Sequence, residues 1–166
     1  MQKTKVGIIG CGNISPAYLG TGPKFEILDF VACADLDMDR AKNRAAEYNV
    51  PRACTPAELL SDPEIDIVLN LTIPRVHAQV ALETLNAGKH AYAEKPFAVT
   101  HEDGQKVIDL AKEKGLRVGC APDTFLGQRV YVPGGHARGY VRAQPVQDAG
   151  KYCAGMFHYV KFPLSF

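Results

Sequence analysis

The sequence lacks several features that would direct it to a particular class of protein. It contains no apolar run long enough to span a membrane, and Val6–Ile9 is too short for the apolar core of a signal peptide. Its formal net charge is only +1 over 166 residues, so no excess of basic charge is available to bind nucleic acid or a membrane surface. Internal repeats and low-complexity tracts are also missing. These absences predict a globular cytoplasmic protein without nucleic-acid or membrane partners.

Metal-ligand and redox motifs are absent from the cysteine pattern as well. No two cysteines have the spacing of a zinc site or of a redox pair, and their odd number argues against a complete set of disulfides. We therefore expect reduced thiols, in keeping with a cytoplasmic protein, and no metal site. The cysteines are Cys11, Cys33, Cys54, Cys120 and Cys153.

What the sequence does contain is an alternation of short apolar runs and helical segments. This alternation is typical of βαβ units, in which right-handed helical crossovers join parallel strands. The apolar run Ile65–Leu71, which reads IDIVLNL, suits a central strand that is buried on both faces. We therefore predict an α/β fold, a doubly wound parallel sheet of the Rossmann type with strand order 3-2-1-4-5-6. The six predicted strands are Lys5–Ile9, Ile27–Ala34, Arg52–Cys54, Ile65–Leu71, His90–Ala93 and Arg117–Cys120.

Capping signals mark the starts of the predicted helices. Thr55 is followed by Pro56 and Glu58, which form a capping box with proline at the first helical position. Other helices are predicted to begin at Asp37, at Pro74 and at Thr100, and the last two should end near Gly88 and Gly115.

The first predicted strand leads directly into the glycine-rich turn Gly10-Cys11-Gly12-Asn13-Ile14-Ser15. Gly10 permits a tight turn, and Gly12 lets the backbone approach a pyrophosphate at the N-terminus of the next helix. Ser15 replaces a third glycine, at a position that needs a small side chain for close packing. An ordinary glycine-rich loop is the alternative, but the position after the first strand favours a dinucleotide site.

Asp35 strengthens this interpretation because it ends the second predicted strand. An acidic side chain there can bind the ribose hydroxyls of the adenosine, and it repels a 2′-phosphate. NAD is therefore predicted as the cofactor, with NADP possible because Arg40 lies close in the sequence. The alternative is that Asp35 caps a helix, a role that we assign instead to Asp37.

The sequence pattern changes after Gly127. Residues 1–128 have a charge balance of −3, whereas residues 129–166 have one of +4 and contain no long periodic segment. A piece of this length cannot form its own core without a disulfide or a metal. We therefore predict a dinucleotide-binding domain over residues 1–127 and an irregular tail, poorly ordered or non-native, over residues 128–166. A frameshift is one hypothesis for the tail.

Several motifs together make the chain similar to one known family. They are Gly10–Ile14, Ala34–Asp37, Thr72–His77 and, most specifically, Ala87–Pro96, which reads AGKHAYAEKP. On these residues the chain resembles the glucose–fructose oxidoreductase / inositol dehydrogenase (Gfo/Idh/MocA) family over about residues 3–127. The resemblance implies the NAD(P)-binding domain of an oxidoreductase that acts on the CH–OH group of a sugar, a cyclitol or a related polyol.

The resemblance also implies a set of site residues. Lys95 would be the catalytic residue, which hydrogen-bonds a substrate hydroxyl beside the nicotinamide and helps to take its proton while hydride leaves carbon. Glu94 would orient Lys95 or contact the cofactor, and Lys95–Pro96 is a candidate cis peptide. His77 either faces the cofactor or is a partly buried structural histidine. The full cofactor-binding prediction is Gly10, Gly12, Asn13, Ile14, Asp35, Leu71, Thr72, Pro74, His77, Glu94, Lys95 and Pro96.

Members of that family continue into a second α+β domain that completes the active site, and we expect this domain to be absent here. Binding of NAD needs only the Rossmann unit, whereas hydride transfer needs a held and shielded substrate. Two functions therefore stay open: an active oxidoreductase, or a truncated, catalytically inactive NAD-binding fragment or sensor. A fragment that binds no cofactor is a third alternative, which the turn and Asp35 argue against. Exposed surface could also favour a homo-oligomer.

Overall fold

The computed structural model describes residues 3–121, which form one parallel six-stranded sheet. Its strand order is β3-β2-β1-β4-β5-β6, so the predicted doubly wound Rossmann topology is confirmed. Every neighbouring pair of strands is parallel, and β1 occupies the centre between β2 and β4. The strands are β1 (Thr4–Ile9), β2 (Leu28–Ala34), β3 (Arg52–Cys54), β4 (Ile67–Asn70), β5 (His90–Glu94) and β6 (Val118–Ala121).

Five α-helices connect these strands, and three of them begin at the caps predicted at Asp37, Thr55 and Thr100. Asp37 caps α2, since its side chain accepts hydrogen bonds from the amides of Asp39 and Arg40. The capping box between Thr55 and Glu58 is present at the start of α3. The helices are α1 (Ser15–Thr21), α2 (Met38–Glu47), α3 (Pro56–Ser61), α4 (His77–Asn86) and α5 (His101–Glu113), with short 3₁₀ turns at Gly22–Lys24 and Pro74–Val76.

Side chains that alternate along the strands build apolar layers on both faces of the sheet. Ile8 and Cys33 pack with Leu19 of α1 and with the alanines of α2. The neighbouring residue Ile9 packs instead with Leu59 of α3. A third cluster joins α4 and α5 to β5 and β6 around the buried ring of Phe97. Because helices cover both faces, loops are left to build the carboxyl edge of the sheet.

Two predicted boundaries need correction. The fourth strand is shorter than Ile65–Leu71, because the amide of Ile65 bonds to the carbonyl of Asp62 in a turn although its side chain is buried. The segment from Pro74 begins as a 3₁₀ turn before α4 starts at His77. The predicted tail 128–166, the division at residue 127 and Cys153 lie outside the described residues.

The helices and the cysteines of residues 3–121 have two further properties. None of its helices is long and apolar enough to cross a membrane. Its four cysteines, Cys11, Cys33, Cys54 and Cys120, are free thiols.

Candidate functional site

The glycine-rich turn lies at the carboxyl edge of the sheet, between the ends of β1 and β4. Gly10 has a φ angle of +104°, and a Cβ atom there would lie 2.7 Å from the carbonyl carbon of Leu71. Its amide donates a 2.8 Å hydrogen bond to the carbonyl of Ala34, which fixes the turn against β2. Backbone conformation and space therefore both require glycine at this position.

Gly12 differs from Gly10 because, within residues 3–121, no atom beyond its chain neighbours lies within 4 Å of where its Cβ would be. The fold itself does not demand glycine here, so the open space is available to a ligand. Within residues 3–121, the amides of Gly12, Asn13 and Ile14 donate to no other group. The first turn of α1 also contains no acidic residue. These features suit an anion bound at the start of the helix.

Ser15 is fully buried, as expected for the position of the third glycine. Its hydroxyl donates a 2.8 Å hydrogen bond to the carbonyl of Gly12, which holds the turn in shape. The small side chain thus provides close packing together with one internal hydrogen bond.

Asp35 follows β2 and is only 9% exposed. One carboxylate oxygen accepts a 2.8 Å hydrogen bond from the amide of Cys11, and the other accepts from the amide of Asp37 at 3.0 Å. Arg40 places a guanidinium nitrogen 3.7 Å from the same carboxylate. Asp35 therefore fixes the glycine-rich turn to β2. Each oxygen of the Asp35 carboxylate can accept a further hydrogen bond, so these two bonds leave room for a ribose hydroxyl. The contact between Asp35 and a ribose stays a prediction.

Asn70, at the end of β4, is a site residue that the sequence reasoning missed. It is 1% exposed, and its amide nitrogen donates to the carbonyl of His77 at 2.9 Å. Its side-chain oxygen accepts from the hydroxyl of Thr72 at 2.6 Å. A polar residue near the carboxyl end of the otherwise apolar segment Ile67–Leu71 was the signal that could have identified it.

The ring of His77 is 1% exposed and lies between two loops of the carboxyl edge. Its Nδ1 is 2.6 Å from the carbonyl oxygen of Pro96, and its Nε2 is 3.0 Å from that of Thr72. This burial between two loops agrees with the second of the two roles predicted for His77, that of a structural histidine. Contact between His77 and a cofactor stays a prediction.

The Glu94-Lys95-Pro96 segment leaves β5 at the same edge, with a cis peptide between Lys95 and Pro96. One oxygen of Glu94 accepts a 2.6 Å hydrogen bond from the hydroxyl of Tyr18, and the other accepts from the backbone amide of Lys95 at 2.9 Å. Burial, and then this hydrogen bond to Glu94, raise the pKa of Tyr18 well above its usual range. Tyr18 could not be identified from local sequence patterns, because its contact with Glu94 joins distant positions.

The side chain of Lys95 is exposed, and its ammonium group bonds to no residue in the range 3–121. Asn13, Ile14 and Pro74, which also come from the predicted site, are exposed as well. Leu71 is buried beneath Gly10, so it supports the turn from below. Lys95 is thus an exposed cation at the carboxyl edge of the sheet, where doubly wound folds bind their ligands.

The other half of the AGKHAYAEKP motif lies at the opposite, amino edge of the sheet. Lys89 is 5% exposed, and its ammonium donates to the carbonyls of Asp62 and, at 3.0 Å, Ile65. His90 accepts a 3.0 Å hydrogen bond from the amide of Arg117. The motif therefore contains a structural half and a half that lies at the candidate site.

A parallel sheet with this strand order, with a glycine-rich turn after β1 and an acidic residue after β2, defines a dinucleotide-binding Rossmann domain. The chain belongs to the GFO_IDH_MocA family, an oxidoreductase family with an NAD-binding Rossmann fold, whose family model matches residues 4–121.

Individual relatives agree with this assignment. Inositol 2-dehydrogenase of Salmonella typhimurium (strain LT2) is 30% identical over 155 residues, which are 89% of this chain and 42% of that protein. Trans-1,2-dihydrobenzene-1,2-diol dehydrogenase of Xenopus tropicalis is 35% identical over 113 residues, covering 66% of this chain and 34% of that protein. The chain thus spans only about a third to two fifths of these curated relatives.

A solved structure shows the same fold with a cofactor bound. Biliverdin reductase from Synechocystis sp. PCC 6803, in complex with biliverdin and NADP+, superposes with a TM-score of 0.65 and 31% identity. The match covers 70% of this chain and 37% of that protein.

Proposed function

We propose that this chain supplies the cofactor-binding part of an NAD(P)-dependent oxidoreductase that acts on the CH–OH group of a sugar, a cyclitol or a related polyol, with Lys95 as its acid–base residue. The observation that carries the proposal is the exposed ammonium group of Lys95, which follows β5 at the edge that also holds the open Gly12 turn. The names of the relatives include inositol 2-dehydrogenase, which supports a polyol as the substrate class.

The residues at the carboxyl edge fit a dinucleotide. The open space at Gly12 and the amides of the turn, which donate to no group within residues 3–121, would hold its pyrophosphate. Asp35 would accept hydrogen bonds from the ribose hydroxyls of the adenosine, and the Thr72–Pro74 and Glu94–Pro96 loops would lie along its nicotinamide end. When bound, the oxidised nicotinamide supplies the acceptor for a hydride.

Lys95 would handle the proton of the reaction. As the C–H bond of the substrate breaks and its electron pair leaves as hydride, the O–H proton passes to the neutral amine of Lys95 and a C=O bond forms. In the reverse direction the ammonium of Lys95 returns that proton to the developing alkoxide. Lys95 can reach a substrate hydroxyl because its side chain is exposed and not bonded within residues 3–121.

The cofactor proposed is NAD rather than NADP. The carboxylate of Asp35 would repel a 2′-phosphate, and the 3.7 Å contact with Arg40 offsets part of that charge. A 2′-phosphate would also need space beside a carboxylate that is only 9% exposed. If calorimetric titration showed that NADP binds much more tightly than NAD, this preference would be wrong.

Calorimetric titration of the purified chain with NAD tests the binding step. Gly12→Ala should weaken NAD binding about tenfold or more, because a methyl group would occupy the space left for the pyrophosphate. Gly20→Ala is the matched control, since its added methyl would lie 3.8 Å from the Tyr48 ring, an ordinary contact. Failure of the unaltered chain to bind either dinucleotide would remove the proposal.

A screen for NAD reduction over sugars and cyclitols tests the chemical step. Turnover that disappears in Lys95→Ala supports the assignment of Lys95, whereas unchanged turnover rejects it. NAD binding without turnover of any substrate supports the second candidate function, a dinucleotide-binding fragment or sensor.

A further inference from the structure

Tyr18 joins the first helix to a strand that is not its neighbour. Helix α1 follows β1 and packs on the centre of the sheet, whereas Glu94 ends β5, and β4 lies between these two strands. The phenol nevertheless approaches the Glu94 carboxylate to 2.6 Å, at a partly buried position. Hydrogen bonds to an ionised acceptor are shorter and stronger than neutral ones, and this distance is typical of them.

Glu94 is held at three points. Tyr18 and the amide of Lys95 each occupy one carboxylate oxygen, and the thiol of Cys120 lies 3.7 Å from the Glu94 carbonyl oxygen. Glu94 can therefore transmit the position of α1 to the backbone of Lys95. Since the carboxylate makes no ion pair with the Lys95 ammonium among the described residues, its contact with Lys95 is through the backbone.

We propose that Tyr18 is a positioning residue that holds the backbone of Lys95, through the carboxylate of Glu94, relative to the glycine-rich turn. The inference rests on the proposed function, because it concerns the placement of the acid–base residue assigned there. Helix α1 begins directly after the turn and also presents Tyr18, so one seven-residue helix contacts both the cofactor site and the support of Lys95.

Loss of this contact should affect turnover more than cofactor binding. Tyr18→Phe removes the hydroxyl but keeps the ring that packs on the core beside Leu19. The turn would retain its own hydrogen bonds, so NAD affinity should change by less than about threefold, or roughly 0.7 kcal/mol. A small displacement of Lys95 should lower kcat about tenfold or more, because hydride and proton transfer depend on close alignment.

The experiment compares the whole chain with its Tyr18→Phe and Tyr48→Phe variants. Tyr48 is also partly buried against the core cluster of α1 and α2, so Tyr48→Phe is a matched loss of a hydroxyl that does not involve Glu94. In ¹⁵N-edited NMR spectra, the amide resonance of Lys95 should move in Tyr18→Phe and not in Tyr48→Phe. Addition of NAD should displace that resonance less in Tyr18→Phe than in the unaltered chain.

A second variant breaks the same contact from the other side. Glu94→Ala should move the Lys95 amide resonance, and adding Tyr18→Phe to it should have no further effect on that resonance. Glu94→Gln can keep both hydrogen bonds, since its amide nitrogen can donate to the Tyr18 oxygen while its oxygen accepts from Lys95. It should therefore retain more of the original Lys95 resonance position than Glu94→Ala.

The outcomes separate the two proposals. An unmoved Lys95 resonance in folded Tyr18→Phe, or equal kcat in Tyr18→Phe and Tyr48→Phe, would overturn the role of Tyr18. If Tyr18→Phe does not fold, the ring resonances of Tyr18 decide the question: they should move in Glu94→Ala and stay near their original positions in Glu94→Gln, and no movement in Glu94→Ala would overturn the role of Tyr18. Absence of NAD binding or of turnover in the unaltered chain counts against the proposed function, and the NMR comparison without cofactor still decides whether Tyr18 positions Lys95.

Discussion

Lys89 and Lys95 lie immediately before and after the same strand, β5, and their surroundings are opposite. Lys89 is 5% exposed and donates to two backbone carbonyls of the segment between α3 and β4. Burial lowers the pKa of Lys89, although the carboxylates of Asp62 and Asp66 act in the other direction. Lys95 is exposed, and its ammonium bonds to nothing within residues 3–121.

This difference shows how a structural lysine and a candidate catalytic one can share a single motif. At the amino edge, the Lys89 ammonium donates to the carbonyls of Asp62 and Ile65, and the Asp62 carbonyl otherwise accepts only from the amide of Ile65. At the carboxyl edge, the Glu94 carboxylate is bonded to Tyr18 and to the backbone amide of Lys95. The ammonium of Lys95 bonds to no residue within residues 3–121. Gly10 and Gly12 also differ in role: Gly10 is packed against the backbone of Leu71, whereas Gly12 faces open space among the described residues.

The largest expected effect is on turnover in Lys95→Met. Loss of an acid–base group costs about 10²–10⁴-fold in kcat. The free energy of unfolding should change by no more than about 0.5 kcal/mol, because an exposed side chain without described partners is replaced. Steady-state kinetics on the substrate identified by the screen, together with urea unfolding, would measure both quantities.

Lys89→Met, measured in the same way, is the control for that variant. It should retain NAD affinity and kcat, because Lys89 lies at the opposite edge of the sheet from the glycine-rich turn. If Lys89→Met lowered kcat as much as Lys95→Met in a folded protein, the division of the motif into two halves would be wrong.

The next effect in size is the stability loss in Lys89→Met. Methionine fills a similar volume but cannot donate, so the carbonyl of Ile65 loses the donor Lys89, and the carbonyl of Asp62 keeps only the 3.4 Å hydrogen bond from the Ile65 amide. Leaving buried polar groups unsatisfied costs about 1–3 kcal/mol in the free energy of unfolding. Urea unfolding at neutral pH checks this value, and stability equal to that of Lys95→Met would contradict the structural role of Lys89.

Much of the fold could be predicted because it depends on local patterns. Alternating apolar runs and helix caps such as Asp37 and Thr55 gave the correct order of elements and, with the crossover rule, the correct strand order. The boundary error at Ile65 arose because an apolar residue can be buried in a turn as well as in a strand. Apolar content indicates burial but not backbone conformation.

The polar network of the site was less accessible from the sequence. Lys89 is structural because the distant 62–65 segment folds over it, and Tyr18 meets Glu94 across a separation of 76 positions. Nothing in the local spacing of these residues encodes such contacts. The predicted residues Gly10, Gly12 and Asp35 lie together at one edge because that placement follows from the topology.

The smallest predicted effect concerns the support beneath Lys95 rather than Lys95 itself, and it appears at alkaline pH. Since the folded-state pKa of Tyr18 is raised above the ordinary value of 10.0, the unfolded chain releases this proton first. The contribution of Tyr18 to stability is therefore complete below pH 10 and is lost as the pH rises above it, by about 1 kcal/mol between pH 10 and 11. Tyr18→Phe should be less stable than the unaltered chain at pH 8, since it lacks the hydrogen bond to Glu94. The difference in free energy of unfolding between the two proteins should then narrow by about 1 kcal/mol between pH 10 and 11. Urea unfolding of both proteins from pH 8 to 11 makes the comparison, because every other titrating group is common to the two. Parallel stability curves would show that the phenol of Tyr18 is neither buried nor held by Glu94, and that the carboxyl end of β5 lacks the support that we assign to it.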